Sequence, residues 1–337
     1  METVPHGSIT DVPGVRVGHA QRTGDGWLTG VTVVLPPPGT VGGVDVRGGG
    51  PGTHETDALD PRTLVPTVDA VVLTGGRAYR LVHAPRGAVL AVGRAYGLVR
   101  AHGVQRGCAE HGRGFPVSQR PGEVVPIVPA AAVFDLGRGG VFANHPDEQM
   151  GYAAAEDAGR QPEHGPVARG NVGAGTGAAI AGQRFKGGLG SASIRVHGGA
   201  VVGALAVVNA AGAPWPRTDH ASDPPAWATS DPGTATTLVV VATDAALDAA
   251  ETSRTATAAH DGLARALDPV HTLADGNTVF ALATTRFELP SDRPARVAAL
   301  IALQAAAAHA VELAVRDGVS RAESVRNGAV DLPVWPG

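Results

Sequence analysis

The sequence predicts a layered α/β or α+β sandwich with its helices on the outside. Strands and helices are mixed along the chain, and the strands are apolar at successive positions, as in strands buried on both faces. Alanine-rich stretches follow several of them and are typical of helices. The 47 glycines and 26 prolines show no collagen-like period, which indicates many tight turns.

The predicted elements follow in order along the chain, and no internal repeat is evident. Strands are predicted for residues 9–17, 31–35, 68–73, 124–134, 199–209, 237–243 and 278–284. Helices are predicted from about residue 78 and over residues 147–158, 248–267 and 295–317. We expect glycine-rich loops at residues 46–61 and 170–177, a long polar loop at residues 210–233 and a loose tail at residues 318–337.

Composition excludes several classes of function. The chain is 43% hydrophobic but only 4% aromatic, and its net charge of −4 offers no basic surplus, so we expect neither a nucleic-acid nor a membrane partner. Cys108 is the single cysteine, which leaves no disulfide framework within the chain. With no signal-peptide pattern and no run of about 18 apolar residues, we expect a cytoplasmic protein. The thirteen histidines lack metal-binding spacings, and no cofactor motif appears.

Thr236 stands where the long polar loop meets a buried strand. A threonine hydroxyl in this position could attack the carbonyl of Ala235 and cut the chain, which would leave Thr236 with a free α-amine. Such an amine has a pKa of about 7.7–8.0 and can act as a general base for its own hydroxyl. The alternative is a threonine that begins a strand because of its β-propensity alone.

Lys186 is the only lysine in a chain that otherwise uses arginine. Arginine keeps its proton in proteins, whereas the pKa of a lysine shifts readily on burial. A chemical reason for this lysine is therefore one interpretation, and sequence drift is the other.

Three segments together resemble the P1 peptidase family: TTLVVVATDAAL (236–247), GNVGAGTG (170–177) and KGGLGSAS (186–193). Further segments resemble family segments in family order, among them ITDVPGVRVGHA (9–20), PGTHETDALDP (51–61), VDAVVLTGG (68–76) and DGNTVFALAT (275–284). The family includes L-aminopeptidase/D-esterase enzymes, β-aminopeptidases and nylon-oligomer hydrolases. Its members are hydrolases whose nucleophile becomes a new N-terminus.

The resemblance implies a fold and a processing step. It implies one domain over residues 1–337, folded as an α+β, four-layer αββα sandwich. It also implies a cut between Ala235 and Thr236 into an α-chain of residues 1–235 and a β-chain of residues 236–337, assembled as a homotetramer. Ala235 departs from the asparagine or glycine usual before the nucleophile, although related ornithine acetyltransferases cleave in an Ala-Thr context.

The resemblance also implies roles for side chains around Thr236. Lys186 takes the position of a functional lysine in the nylon hydrolases and could hold the hydroxyl or a developing oxyanion by charge. Asn209 resembles the family asparagine beside the nucleophile, whose amide can donate to an oxyanion; the alternative is a turn cap. Asp275 and Asn277 resemble a pair of carboxylates that could orient the Thr236 amine, with one charge missing at Asn277; the alternative is an ordinary D-G-N turn.

Substrate selectivity is expected from two further places. Phe134 replaces a tyrosine that could donate to the oxyanion, so backbone N–H groups of residues 170–177 are candidates to replace that donor. In the segment 75–84, Arg77, Arg80 and His83 replace smaller family residues beside Tyr79. Two added guanidiniums would favour a substrate carboxylate or phosphate over an ammonium, whereas a remodelled surface helix is the alternative.

The sequence therefore predicts a self-processing amidohydrolase or aminopeptidase. It would cleave small peptides, amino-acid amides or esters through an acyl-Thr236 intermediate and use no cofactor or metal. One alternative is an enzyme that passes the same acyl group to an amine. The other is an unprocessed relative that only binds its ligand.

Overall fold

The computed structural model describes residues 1–4, 6–76, 95–214 and 235–336, and for residues 95–99 it describes the backbone alone. Within these ranges the fold is a mixed α/β structure with two main sheets and four helices. The helix predicted from about residue 78 and most of the polar loop at residues 210–233 lie outside the described residues. Strands β1 to β19 follow in chain order: Glu2–Thr3, Arg16–Gly24, Trp27–Leu35, Val41–Val46, Thr53–His54, Val71–Thr74, Phe115–Pro116, Val124–Val125, Ala130–Ala132, Ala179–Ile180, Phe185–Lys186, Leu189–Arg195, Val201–Asn209, Ala213–Pro214, Thr236–Ala245, Leu267–Asp268, Thr278–Phe287, Val325–Arg326 and Asp331–Leu332.

The four described helices are α1 (Ala95–Glu110), α2 (Glu148–Arg160), α3 (Ala249–Ala266) and α4 (Arg293–Ser320). Aspartates precede α2, α3 and α4 and accept a hydrogen bond from the first helical turn, at Asp147, Asp248 and Asp292. These caps satisfy N–H groups that have no partner inside the helix. They account for the close agreement between the predicted and observed starts of these helices.

The larger sheet carries the candidate nucleophile. Its six strands lie in the order β1-β12-β13-β15-β17-β4. Strand β15 is in the middle and all ten of its residues are buried. It pairs antiparallel with β13 and parallel with β17. The β-branched run after Thr236 suits such a position, since these side chains pack well on a pleated surface.

The second sheet has five strands in the order β2-β3-β6-β9-β5. One apolar cluster joins side chains of both sheets, including Val34, Leu73, Leu205 and Val240. A second lies between the larger sheet and helices α3 and α4, and a third between the five-stranded sheet and helices α1 and α2. The mixed α/β fold is thus confirmed, while the four-layer sandwich stays a prediction.

Two predicted strands are wrong in extent. The run at residues 124–134 is split into β8 and β9, because Pro126 and Pro129 lack the N–H that a sheet ladder requires. Residues 9–17 begin instead with a short 3-10 helix at Ile9–Asp11, where the Ser8 and Asp11 side chains close a capping box. Strand β2 starts only at Arg16.

The expected loose tail is also wrong. Helix α4 continues to Ser320, and β18 pairs with β19 after it. Leu332 is buried, and the ring of Trp335 lies edge-on to that of Phe185 with 4.9 Å between centroids. The backbone N–H of Lys186 donates to the carbonyl of Pro333 at 2.8 Å. The tail therefore packs beside the strand that carries Lys186.

Helix α4 bears on the expectation that the chain has no membrane partner. By length and composition alone it could cross a bilayer. Its contacts with α3, β12 and β13 and its ten buried residues are those of a core helix in a folded domain.

Candidate active site

Thr236 is the first residue of β15 and is fully buried. Its hydroxyl donates a hydrogen bond to the carbonyl oxygen of the preceding residue, Ala235, at 2.5 Å. The same oxygen accepts the backbone N–H of Gly276 at 3.0 Å. In the intact chain, the Ala235–Thr236 peptide bond therefore has the Thr236 hydroxyl beside it, and its carbonyl accepts a hydrogen bond from a backbone N–H.

Gly276 lies very close to Thr236, because Ala235 forms a parallel bridge with Asp275 just before β17. A Cβ atom at Gly276 would lie 2.4 Å from the carbonyl oxygen of Gly50 and 3.0 Å from the Thr236 hydroxyl oxygen. Only glycine leaves room for this approach of two backbones.

The two polar residues of the D-G-N turn make different contacts. The Asp275 carboxylate accepts the N–H of Thr272 at 2.7 Å and so closes the turn. The Asn277 side-chain carbonyl accepts the N–H of Thr237 at 2.7 Å, and its amide donates to Nδ1 of His271 at 3.0 Å. Asn277 thereby joins the starts of β15 and β17. Because Nδ1 accepts this bond, His271 is neutral there, in agreement with a pKa that burial lowers.

Asn209 ends β13 directly opposite Thr236 in the antiparallel register. Side chains of directly opposed residues lie on the same face of a sheet, with Cβ atoms about 4.5–5.5 Å apart. The Asn209 side-chain carbonyl accepts the N–H of Ala179 at 3.0 Å and a guanidinium N–H of Arg138 at 2.6 Å. The structure thus brings the predicted Ala235, Thr236, Asn209, Asp275 and Asn277 together.

Lys186 is fully buried, and its ammonium group donates to two backbone carbonyls. The acceptors are Gly175 at 2.9 Å and Gly187 at 2.6 Å. Burial, and after it the positive charge of Arg138, lower the pKa of Lys186 to about 7, while the Asp135 carboxylate opposes the shift. Lys186 is connected to Asn209 through the glycine-rich block and Arg138.

The backbone N–H groups of the glycine-rich block at residues 170–177 were predicted to be oxyanion donors, but most of them are already used. Six of its N–H groups already donate to other protein groups: those of Gly170, Val172, Gly173, Ala174, Gly175 and Thr176. Its carbonyls are used instead, since Gly175 accepts from Lys186 and Gly177 accepts from Arg138 at 2.5 Å. The prediction is wrong for these six groups, because three of them donate within the block's own turns and three donate to Gln21, Thr32 and Leu189 outside it.

Sequence reasoning missed a buried group of charges behind the block, made of Arg100, Asp135 and Arg138. The Asp135 carboxylate accepts from the Thr29 hydroxyl at 2.6 Å and from the N–H of Gly76 at 2.7 Å. Burial raises its pKa and lowers the pKa of each arginine to about 10, although attraction between the opposite charges limits these shifts. The available signal was a charged pair flanking the glycine in Asp-Leu-Gly-Arg, directly after a buried strand.

The predicted substrate-binding residues fall in two groups. Arg77, Tyr79, Arg80 and His83 lie outside the described residues. Phe134 is half-buried and directly precedes Asp135.

Comparisons with known proteins identify the family of this chain. The sequence model of Peptidase family S58 matches residues 7–330. An uncharacterized aminopeptidase of Mycobacterium tuberculosis is 44% identical over 367 aligned positions, covering 98% of each chain. The 6-aminohexanoate-oligomer endohydrolase of Paenarthrobacter ureafaciens is 28% identical over 315 positions, covering 83% of this chain and 76% of that one.

Solved structures of aminopeptidases have a similar fold. A Burkholderia sp. β-aminopeptidase superposes with a TM-score of 0.72 and 25% identity, covering 98% of this chain and 91% of the other. An L-aminopeptidase D-Ala-esterase/amidase of Ochrobactrum anthropi, described as a variant of the Ntn-hydrolase fold, gives a TM-score of 0.73 at 22% identity, covering 99% and 92%. The sequence-based resemblance to aminopeptidases and nylon-oligomer hydrolases is confirmed at the level of the family. This chain belongs to peptidase family S58, a family of hydrolases of the aminopeptidase and amidase type.

Proposed function

We propose that this chain is a self-processing amidohydrolase that uses Thr236 as its nucleophile. One observation carries the proposal: the Thr236 hydroxyl lies 2.5 Å from the carbonyl oxygen of Ala235, while the N–H of Gly276 donates to that same oxygen. A nucleophile beside a carbonyl that already has a backbone donor is the arrangement that acyl transfer requires.

Self-cleavage would proceed in two steps. The Thr236 hydroxyl oxygen attacks the Ala235 carbonyl carbon, the carbon–nitrogen bond breaks, and the leaving nitrogen takes up the hydroxyl proton. Water then hydrolyses the resulting ester to give residues 1–235 and residues 236–337. The new α-amine of Thr236, with a pKa near neutrality, becomes the base for catalysis.

Substrate hydrolysis would repeat this chemistry. The Thr236 amine takes the proton of its own hydroxyl, the oxygen attacks an amide or ester carbonyl, and water releases the acid from acyl-Thr236. Asn209 donates to the oxyanion, and the positive charge of Lys186 stabilises it through the intervening backbone dipoles. Asp275 and Asn277 hold the turn that positions the start of β15.

The substrate class follows from the relatives. Their names include a β-aminopeptidase, an L-aminopeptidase D-Ala-esterase/amidase and a 6-aminohexanoate-oligomer endohydrolase. We propose small peptides, amino-acid amides and related esters with a free terminus. The two arginines Arg77 and Arg80 would favour a substrate that also carries a carboxylate or phosphate.

We further propose that the processed protein is a cytoplasmic homotetramer with a four-layer αββα fold. The near-neutral pI of 6.3 and the single cysteine, which is buried, support the cytoplasmic location. The family resemblance supports the assembly and the layers.

Trapping the acyl-enzyme tests this function. Purified protein is incubated with p-nitrophenyl acetate and digested, and the acetylated residue is identified by peptide mass mapping. Acetyl on the hydroxyl or amine of Thr236, together with turnover of α- and β-amino-acid p-nitroanilides, is the expected result. Added amines that capture the acyl group would instead indicate a transferase.

Matched variants complete this test. Thr236→Ala should lose acylation and turnover, whereas Thr236→Ser should keep them. Thr237→Val is the control, because the neighbouring Thr237 hydroxyl is buried without a hydrogen-bond partner among the described residues. Full activity of Thr236→Ala would refute the mechanism.

A further inference from the structure

Arg138 makes several hydrogen bonds in the interior of the protein, although arginine side chains are usually exposed. Its side chain is buried beneath the site, with 4% of its surface exposed. One guanidinium nitrogen donates to the carbonyl of Gly177 and to the side-chain carbonyl of Asn209, and the other donates to the side chain of Gln183 at 3.2 Å. Arginine can make such a fork because its donors are planar and fixed relative to one another.

These contacts determine the orientation of the Asn209 amide. Its oxygen accepts two hydrogen bonds, from Arg138 and from the N–H of Ala179. A flipped amide would turn its NH₂ group toward two donors, so the flip is excluded by both partners. The Asn209 NH₂ group therefore points to the other side, where no described residue accepts a hydrogen bond from it.

This NH₂ group, which has no acceptor among the described residues, belongs to a side chain beside Thr236. Asn209 is directly opposite Thr236 in the β13–β15 register, so their side chains lie on the same face of the sheet. A donor fixed at this position can meet the negative charge that develops when Thr236 attacks a carbonyl. The donor stabilises this charge most when the Asn209 amide is already held in place before the reaction. The hydrogen bond from Arg138 holds it there.

We propose that Arg138 is a positioning residue for acyl transfer, which fixes the Asn209 amide as the oxyanion donor beside Thr236. This role rests on the proposed function. Its bond to Asn209 is charge-assisted and short, at 2.6 Å, and neither group is exposed to water that could replace it. The cation therefore also keeps the Asn209 oxygen polarised, which makes its NH₂ group a stronger donor.

A double-mutant cycle tests this role, with the rate of p-nitrophenyl acetate acylation and the kcat and KM for a p-nitroanilide as readouts. Removal of one oxyanion donor costs about 10²–10³ in rate, so Arg138→Met should lower acylation and kcat roughly tenfold to hundredfold with KM little changed. Asn209→Ala should lower them at least as much. In the Asn209→Ala background, Arg138→Met should have an effect of less than about threefold.

Conservative variants separate positioning from folding. Arg138→Lys retains a cation that can reach one acceptor and should recover part of the rate. Arg296→Met is the control for loss of an arginine far from Thr236, because the half-buried Arg296 pairs with Glu251 near the opposite end of β15. If Arg138→Met does not fold, Arg138→Gln, which keeps a neutral donor, replaces it in the cycle.

Two results would overturn the role. Rate losses that multiply in the double variant, or an Arg138→Met enzyme with unchanged kcat and acylation, would show that Arg138 does not act through Asn209. In both cases the wild-type enzyme is active, so the proposed function would survive. A wild-type chain that is neither cleaved nor acylated at Thr236 would overturn the proposed function and this role together.

Discussion

The regions on the two sides of Thr236 differ in charge: neutral groups contact the start of β15 on the β17 side, and buried cations lie on the β13 side. On the β17 side, the turn of Asp275, Gly276 and Asn277 contacts the start of β15 with backbone groups and a neutral amide, and His271 behind it is neutral. On the β13 side, buried Lys186 and Arg138 hold the carbonyls of the glycine-rich block, and Arg138 holds Asn209. Under the proposed function, this difference means that positioning of the Ala235–Thr236 bond and stabilisation of charge belong to separate elements. Variants on one side should therefore affect cleavage, and variants on the other should affect electrostatics.

The largest expected effect is on the turn side. Gly276→Ala would push a methyl group against the Gly50 carbonyl and the Thr236 hydroxyl, so it should slow self-cleavage by about hundredfold or more, as misplacement of a nucleophile by about 1 Å does. The time course of the fragment of residues 236–337 measures the rate. Gly328→Ala, whose added methyl would meet nothing within 4 Å, is the matched control. Cleavage of Gly276→Ala at the wild-type rate would refute the close approach.

On the cationic side, Lys186 should make stability depend on pH. The pKa of Lys186 is about 7 in the folded chain and about 10.5 when unfolded, so between these values the unfolded chain binds more protons. Stability should therefore rise with pH, by at most about 1.4 kcal/mol per pH unit from this group. Urea unfolding of wild type and Lys186→Met at pH 7, 8 and 9 measures it. Equal slopes for the two proteins would contradict the lowered pKa of the buried Lys186.

A smaller effect is expected behind the turn, at His260. This histidine is fully buried, and its Nε2–H donates to the carbonyl of Asp45 at 3.0 Å. Burial lowers its pKa below the ordinary value of 6.5, so the unfolded chain takes up a proton first and stability should fall as pH drops below about 6.5. Thermal unfolding from pH 7 to pH 5 should show a weaker decline for His260→Gln, which keeps a donor to Asp45. An identical decline would exclude this histidine as a cause.

The smallest expected effect tests the neutrality of His271, which lies behind the turn. In Asn277→Asp, a carboxylate would replace the amide that donates to Nδ1 of His271, and a carboxylate favours a protonated imidazole. The pKa of His271 should rise by about one unit or more, as measured by NMR titration. An unchanged pKa would mean that Asn277 does not set the charge of His271.

Local sequence carried much of the fold and part of the site. The β-branched run after Thr236 located β15 and its first residue, and aspartate caps located three helices. Long-range contacts were beyond it: Arg138 is one of many arginines until the fold brings it to Asn209, 71 residues away. The tail misled because its apolar residues show no period, yet Leu332 is buried and Trp335 packs against the core.

The glycine-rich block shows a second limit of prediction from the sequence. Its composition indicated spare backbone donors, but the direction in which each N–H points depends on backbone angles that the sequence does not specify. In the structure six of these N–H groups donate to other protein groups, and the carbonyls of Gly175 and Gly177 accept from Lys186 and Arg138. The glycine content therefore predicted a loop with tight turns, but it did not predict whether the N–H groups or the carbonyls of that loop contact the site.

The central claim is that Thr236 becomes an N-terminus. Intact-mass analysis of the purified wild-type chain, with N-terminal sequencing of the smaller species, measures this directly. We expect two species, residues 1–235 and residues 236–337, the second with a free α-amine on Thr236, and a single whole chain for Thr236→Ala. A wild-type chain that remains whole after prolonged incubation, or one cut at another bond, would contradict the account.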